Sequence, residues 1–313
     1  MPRRSRLAAA LAAVLAVALG AVALAGCGSG DGPRADGKLS VEASFYPLQW
    51  VAEQVGGDHV AVGSLTKPGA EPHDLELTPR DVAAIQDADV VLYLSGFQPA
   101  VDDAIDDVSG GTVFDAKASG RLDRTFTPIE DGESNADEAG SVDPHFWLDP
   151  TRLADVATAF AKALGQQDPA HAADYTAGAT ALVAKLDRLD ASFRAGLADC
   201  ANPDLVTSHN AFGYLAARYG LTQEGITGLT PEDEPSASDL AAVTKFVKAK
   251  KVRTIYFETL VSPDIAETVA REAGVKTAVL DPLEGLNDDS QGSDYLEVMA
   301  SNLKNLQAGQ PCP

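Results

Sequence analysis

Residues 254–280 read TIYFETLVSPDIAETVAREAGVKTAVL: a strand-type run, Thr254–Phe257, a helical stretch, Pro263–Ala273, and a second strand-type run, Lys276–Leu280. Short runs rich in β-branched and aromatic residues that alternate with helices point to parallel pairing in an α/β body. The same alternation extends outward in both directions. Upstream lie a strand at Leu205–Ser208 and helices at Ala211–Tyr219 and Ser238–Lys250, and downstream a helix at Asp294–Leu306. In the first half the strand candidates are Leu39–Phe45, Val60–Thr66, Val90–Leu94 and Thr112–Phe114. One helix there opens with Thr78 as N-cap, Pro79 at the first helical position and Asp81 at the third. Asp149-Pro150 and Asp168-Pro169 repeat that start signal.

The stretch from Pro169 to about Leu197 places Tyr175, Ala179, Leu182, Leu186, Leu189, Phe193 and Leu197 at steps of three or four, one stripe of an amphipathic helix. At about 1.5 Å per residue it is on the order of 40 Å long, enough to connect two lobes rigidly. Chain length also favours two medium lobes over one core. The resulting division is a lobe at 39–167, a connecting helix at 168–198 and a second lobe at 199–313. No internal sequence repeat is evident.

Before the lobes, Arg3, Arg4 and Arg6 precede an apolar run, Leu7–Ala25, that ends on Leu24-Ala25-Gly26-Cys27. A charged start, an apolar middle and small residues before a cysteine describe an export signal over 1–26 with Cys27 as the lipidated first mature residue. Residues 27–38, rich in Gly and poor in apolar residues, suit a flexible tether. Loss of the three arginines lowers Lys plus Arg from 24 to 21 against 46 acids, a formal charge of −25. Such a surface repels nucleic acid and attracts cations. With Cys27 lipidated, Cys200 and Cys312 remain, an even pair in an oxidising compartment and an expected disulfide. The acidic stretch Pro128–Asp143 has almost nothing to bury and is expected to be a mobile loop.

Of five histidines, three sit in loops or at strand ends among small or polar neighbours. They are His73 in Glu71-Pro72-His73-Asp74, His145 in Asp143-Pro144-His145-Phe146-Trp147, and His209 in Thr207-Ser208-His209-Asn210. Open α/β sheets bind ligands beyond the carboxyl ends of their strands. Three imidazoles and a carboxylate meeting there form a closed tetrahedral zinc site. Asp281 and Glu258 each end a strand, and local pattern does not choose between them. His59, beside Asp58, and His171, in the first turn of the long helix, are expected to be structural.

These segments, with Ala43-Ser44-Phe45-Tyr46-Pro47, Leu75-Glu76-Leu77-Thr78-Pro79 and Ala211-Phe212-Gly213-Tyr214, resemble the metal-binding solute-binding lipoproteins of bacterial zinc and manganese ABC importers, the ZnuA-like family. The resemblance runs along essentially the whole mature body. It implies two α/β lobes joined by a rigid helix, metal in the cleft between them, ligands at His73, His145 and His209, and Asp281 rather than Glu258 as the fourth. It also implies a monomer anchored to the membrane at Cys27 that delivers its ion to an importer permease. The acidic stretch before His145 holds no histidine, unlike the histidine-rich loop of many zinc members, and Gly96-Phe97-Gln98-Pro99 lacks the acidic and tryptophan residues expected near that point.

Imidazole suits Zn2+, whereas Mn2+ prefers oxygen-rich shells and its relatives tend to carry glutamate where this chain has His209. Zinc is therefore the expected ion and manganese the alternative. A secreted zinc hydrolase would need an open coordination position and a general base, for which Asp74 or Glu71 are the candidates. No H-E-x-x-H pair or G-x-S-x-G elbow is present, so no enzymatic activity is expected. A surface adhesin carrying an incidental metal is the other alternative.

Overall fold

Strand β1, Leu39–Ala43, is buried at four of its five positions, as an inner strand covered on both faces must be. In the computed structural model, which describes residues 37–129, 138–310 and Cys312, it sits between β2 (Val60–Ser64) and β3 (Val90–Tyr93). With β4 (Thr112–Asp115) these form a four-stranded parallel sheet in the order β2-β1-β3-β4. The second half builds β5 (Asp204–Thr207), β6 (Thr222–Gly225), β7 (Thr254–Phe257) and β8 (Lys276–Val279) into another, in the order β6-β5-β7-β8. The two orders are the same, each half beginning in the middle of its sheet, although the residues themselves show no repeat. The expected export signal, Cys27, most of the tether and the centre of the acidic stretch, 130–137, lie outside the described residues.

The helices are α1 (Tyr46–Gly56), α2 (Pro79–Asp87), α3 (Pro99–Asp106), α4 (Lys117–Gly120), α5 (Pro150–Gln167), α6 (Ala172–Leu197), α7 (Gly213–Tyr219), α8 (Ala237–Lys250), α9 (Asp264–Ala273) and α10 (Tyr295–Gly309). Thr78 and Asp81 close a capping box at α2, and Ser236 and Asp239 close another at α8. Each such cap is worth about 1 kcal/mol. Asp149 caps α5 by accepting from the Thr151 backbone N–H. Asp168 does not cap in this way. Its carboxylate is taken by His171 Nδ1 at 2.6 Å and the Tyr175 hydroxyl at 2.8 Å, and residues 169–171 form a 3-10 turn before α6 starts.

Helix α6 buries the stripe Tyr175, Ala179, Leu182, Leu186, Leu189, Phe193 and Leu197. Each fully buried large apolar side chain there contributes roughly 1.5–3 kcal/mol. The stripe joins one continuous core with Val41 and Leu92 of the first sheet, Leu205 and Tyr256 of the second, and Trp147 and Tyr295. Cys200, just beyond α6, is bonded to Cys312, closing a separation of 112 residues. Loop closure of that length stabilises by about 4–5 kcal/mol in the chain-entropy account. The double variant C200S/C312S should therefore melt well below the wild type in a denaturant titration while binding the same number of metal ions. Equal midpoints would refute that role for the bridge.

Candidate metal centre

Three segments bring the candidate histidines together at the carboxyl ends of the strands, where strand order reverses in each sheet. The loop carrying His73 folds around Glu71, whose Oε2 accepts the backbone N–H groups of His73 at 2.8 Å and Asp74 at 3.3 Å. Gln98 secures it from below, donating from Nε2 to Thr66 Oγ1 at 3.0 Å and to the Pro72 carbonyl at 3.2 Å. Phe97 packs its ring against His73, 4.7 Å between centroids. The Phe97-Gln98 pair thus buttresses the site from a segment whose sequence showed only a departure from the expected residues.

His145 is wholly buried, and Asp143 Oδ1 accepts both its backbone N–H and its Nδ1, at 2.9 and 2.8 Å. Its segment is fastened across the cleft: Trp147 Nε1 donates to the Pro282 carbonyl at 2.7 Å, and the Tyr295 and Tyr214 hydroxyls donate to the Trp147 and Asp143 carbonyls. His209 follows β5 and holds Nδ1 2.7 Å from Glu258 Oε1, which also accepts from the Ser208 hydroxyl. In both histidines a carboxylate on Nδ1 fixes the ring and turns Nε2 inward, the arrangement that supports a metal-bound imidazole.

The three Nε2 atoms converge on Glu284. Its Oε1 lies 3.5 Å from His73, 3.1 Å from His145 and 3.3 Å from His209. His73, His145, His209 and Glu284 each offer one ligand atom, all within 4.8 Å of one another. The three Nε2 atoms and both Glu284 oxygens are buried without a well-formed hydrogen bond. Buried polar atoms left in this state call for an explanation, and a cation at their centre supplies one.

Neither Asp281 nor Glu258 joins this cluster, which corrects the expectation for the fourth group. Glu258 is committed to His209 Nδ1. Asp281 Oδ1 accepts the Leu283 N–H at 2.8 Å and Oδ2 accepts the Thr259 hydroxyl at 3.2 Å. Asp281 thereby shapes the turn that presents Glu284 three residues later. Leu283, within that turn, has φ 60°, a left-handed conformation rare for a leucine and a form of backbone strain concentrated at functional sites. No local signal in the sequence marks Glu284, which follows the Asp281-Pro282 turn. His59 and His171 stay apart from the cluster, with rings stacked 4.0 Å apart and His59 facing Asp174.

The charges fit a proton-filled cation site. Burial works against a charge on His145 and His209, but the carboxylates around them outweigh it and raise both: Asp143 and Glu284 for His145, Glu258 and Glu284 for His209. Burial lowers His73. Burial also disfavours a charged Glu284, yet the His209 and His73 rings hold it well below the usual carboxylate range. Burial, then Glu284 and Glu232, push Glu71 up to about 9, so a cation drawn between these acids displaces a proton to solvent.

The family profile "Zinc-uptake complex component A periplasmic" matches residues 41–309. The chain belongs to this zinc-uptake family. Proteins of the zinc-uptake family are solute-binding components of transporters rather than enzymes, and they work with the permease components of ABC importers. The zinc-binding lipoprotein AdcA of Streptococcus pneumoniae is 39% identical over 88% of the chain, which spans 56% of AdcA. The high-affinity zinc uptake system protein ZnuA of Bacillus subtilis is 35% identical, with 91% of this chain and 92% of ZnuA covered. Among solved structures, the Zn(II)-bound ZnuA-like domain of S. pneumoniae AdcA is 36% identical with a TM-score of 0.73, covering 88% of this chain and all of that domain. The laminin-binding protein Lmb of Streptococcus agalactiae, described as having adhesin and metal-transporting activity, gives a TM-score of 0.75 at 35% identity over 87% of this chain and 99% of Lmb.

Proposed function

We propose that this protein captures zinc outside the cytoplasm with His73, His145, His209 and Glu284 and delivers it to the permease of an ABC importer. The separations between Glu284 and the three histidines carry the reading. With zinc bonds of about 2.0–2.1 Å, the edges of a tetrahedron are about 3.3–3.4 Å. The Glu284–histidine separations of 3.1, 3.3 and 3.5 Å bracket that value. Three imidazoles and one carboxylate favour zinc over manganese. Four protein donors also leave no open position for a substrate or an activated water, which separates a carrier from a hydrolase. In this reading residues 1–26 direct export, lipid on Cys27 holds a monomer at the membrane, 27–38 is the tether, and 39–167 and 199–313 are lobes joined through 168–198.

Metal analysis and competition titration test it. The purified protein should bind one zinc tightly, and excess manganese should not displace it. Manganese winning that competition, or more than one tight zinc, would sink the proposal.

A further inference from the structure

Glu71 has no place in the four-donor cluster, yet its side chain is only 10% exposed and its Oε1 is buried without a partner. The other oxygen is fixed by the His73 and Asp74 N–H groups, so the direction of Oε1 is set by the loop itself. That atom stands 3.9 Å from His73 Nε2, while Glu284 Oε1 stands 3.5 Å from the same nitrogen. Two donors 3.9 Å apart accommodate one ion with bonds of about 2.0–2.1 Å at a wide angle, roughly 140–150°. His73 is therefore shared by two arrangements: the four-donor cluster, and a pair formed with Glu71. Glu232 and Asp233 of the second lobe interact electrostatically with Asp74, Glu232 also with Glu71, and Asp233 also with His73.

We propose that Glu71 is an entry ligand: Glu71 Oε1 and His73 Nε2 form a two-donor landing site that receives the divalent cation before the four-donor cluster does. The inference rests on the zinc-capture reading. An arriving ion is fully hydrated and must exchange its waters one at a time for protein donors. Glu71 supplies the first oxygen as its proton passes to solvent, His73 supplies the first nitrogen, and the ion then pivots about His73 Nε2 as Glu284, His145 and His209 replace the remaining waters. Glu71 leaves the shell at the end of this path, so it sets the rate in both directions and not the final affinity.

Stopped-flow mixing with zinc, and dissociation into a strong chelator, test the step on the full chain. Glu71→Gln retains a carbonyl oxygen for the two N–H groups and removes the carboxyl that becomes an anionic donor once its proton is displaced. Association and dissociation should both slow about 10-fold, the effect of losing roughly 1.4 kcal/mol along the path, with the equilibrium constant within about 2-fold. The slowing should persist at high salt, because ligation is direct. The effect of E232Q/D233N on association should instead fade, since screening shortens to about 3 Å at 1 M. In the wild type the observed rate should level off with zinc concentration as the pivot becomes limiting, a measurement that needs no variant. Unchanged rates in E71Q, a change confined to dissociation, or a strictly linear concentration dependence would each overturn the entry role. Glu284→Gln separates the two failures. If it keeps tight zinc binding, the four-donor reading is wrong; if it loses binding while E71Q kinetics match the wild type, the entry step alone is wrong.

Discussion

Replacing Glu284 by Gln should weaken zinc binding on the order of 10³-fold, beyond the roughly 10–100-fold that follows loss of an outer-shell partner. The variant preserves volume in a wholly buried position and removes the one anion to which all three Nε2 atoms point. Asp281→Asn should stay within about 10-fold, because Asp281 acts through the turn and touches no donor nitrogen. Part of the Glu284→Gln loss is offset, since Glu284 is one of the groups that raise His145 and His209 and hold protons there against zinc. The comparison is best made by chelator competition above neutral pH, where that offset is smallest. Equal losses in D281N and E284Q would restore Asp281 as the fourth ligand.

Metal-free protein should become less stable from pH 6.5 to 9, while the zinc-bound form should not. The sign follows from proton binding. His145 and His209 have folded values raised above the unfolded one, so the stability they add is fully present below about 6.5 and lost as pH rises through the raised values. Glu71, ordinarily near 4.5 and here about 9, acts in the same direction up to that pH, and Asp281, raised to about 6, does so at lower pH. His73, lowered by burial, opposes them only below its unfolded value. Glu284, held far down, would lose its contribution only as pH falls through its depressed value. Each proton held in excess by the folded chain changes stability by about 1.4 kcal/mol per pH unit. Zinc takes the Nε2 positions and removes this dependence, so the rise in melting temperature at fixed free zinc should grow with pH. Apparent zinc affinity should fall up to about 100-fold per pH unit below the two raised histidine values, one factor of ten for each proton displaced. Melting curves with chelator and with buffered zinc decide the matter; parallel pH dependences would show that protons and zinc do not compete here.

How much of this was legible in the sequence depended on burial. The inner strands β3 and β7 are continuous apolar or β-branched runs, and β1 and β5 are mostly so, interrupted by Ser40 and Glu42 and opened by Asp204; all four are recognisable. Strand β6, Thr222-Gln223-Glu224-Gly225, is not, because it lies at the edge of its sheet with its first residue exposed and carries no hydrophobic signal. The stripe of α6 was readable residue by residue. The three histidines stood out by residue type and by their position after strands or prolines. Glu284 did not, because a carboxylate five residues past β8 has no local pattern, and the positive φ at Leu283 that aims it is hidden behind an ordinary leucine. The identical strand order of the two sheets was also invisible, since topology is set by which strand lies inside and not by shared residues.

The core that runs unbroken from Val41 and Leu92 through the α6 stripe to Leu205 and Tyr256 has a thermodynamic consequence. The described residues form one compact unit, and Trp147 and Tyr295 are hydrogen-bonded deep within it. Opening either sheet alone would strip partners from the other, so excursions that expose one half leave the second unsupported, and the chain loses its structure as a single cooperative block. An ion held at the cleft is therefore paid back across the whole molecule. Buried amides of the inner strands β1 and β5, one in each sheet, should therefore gain protection from hydrogen exchange together when the metal binds.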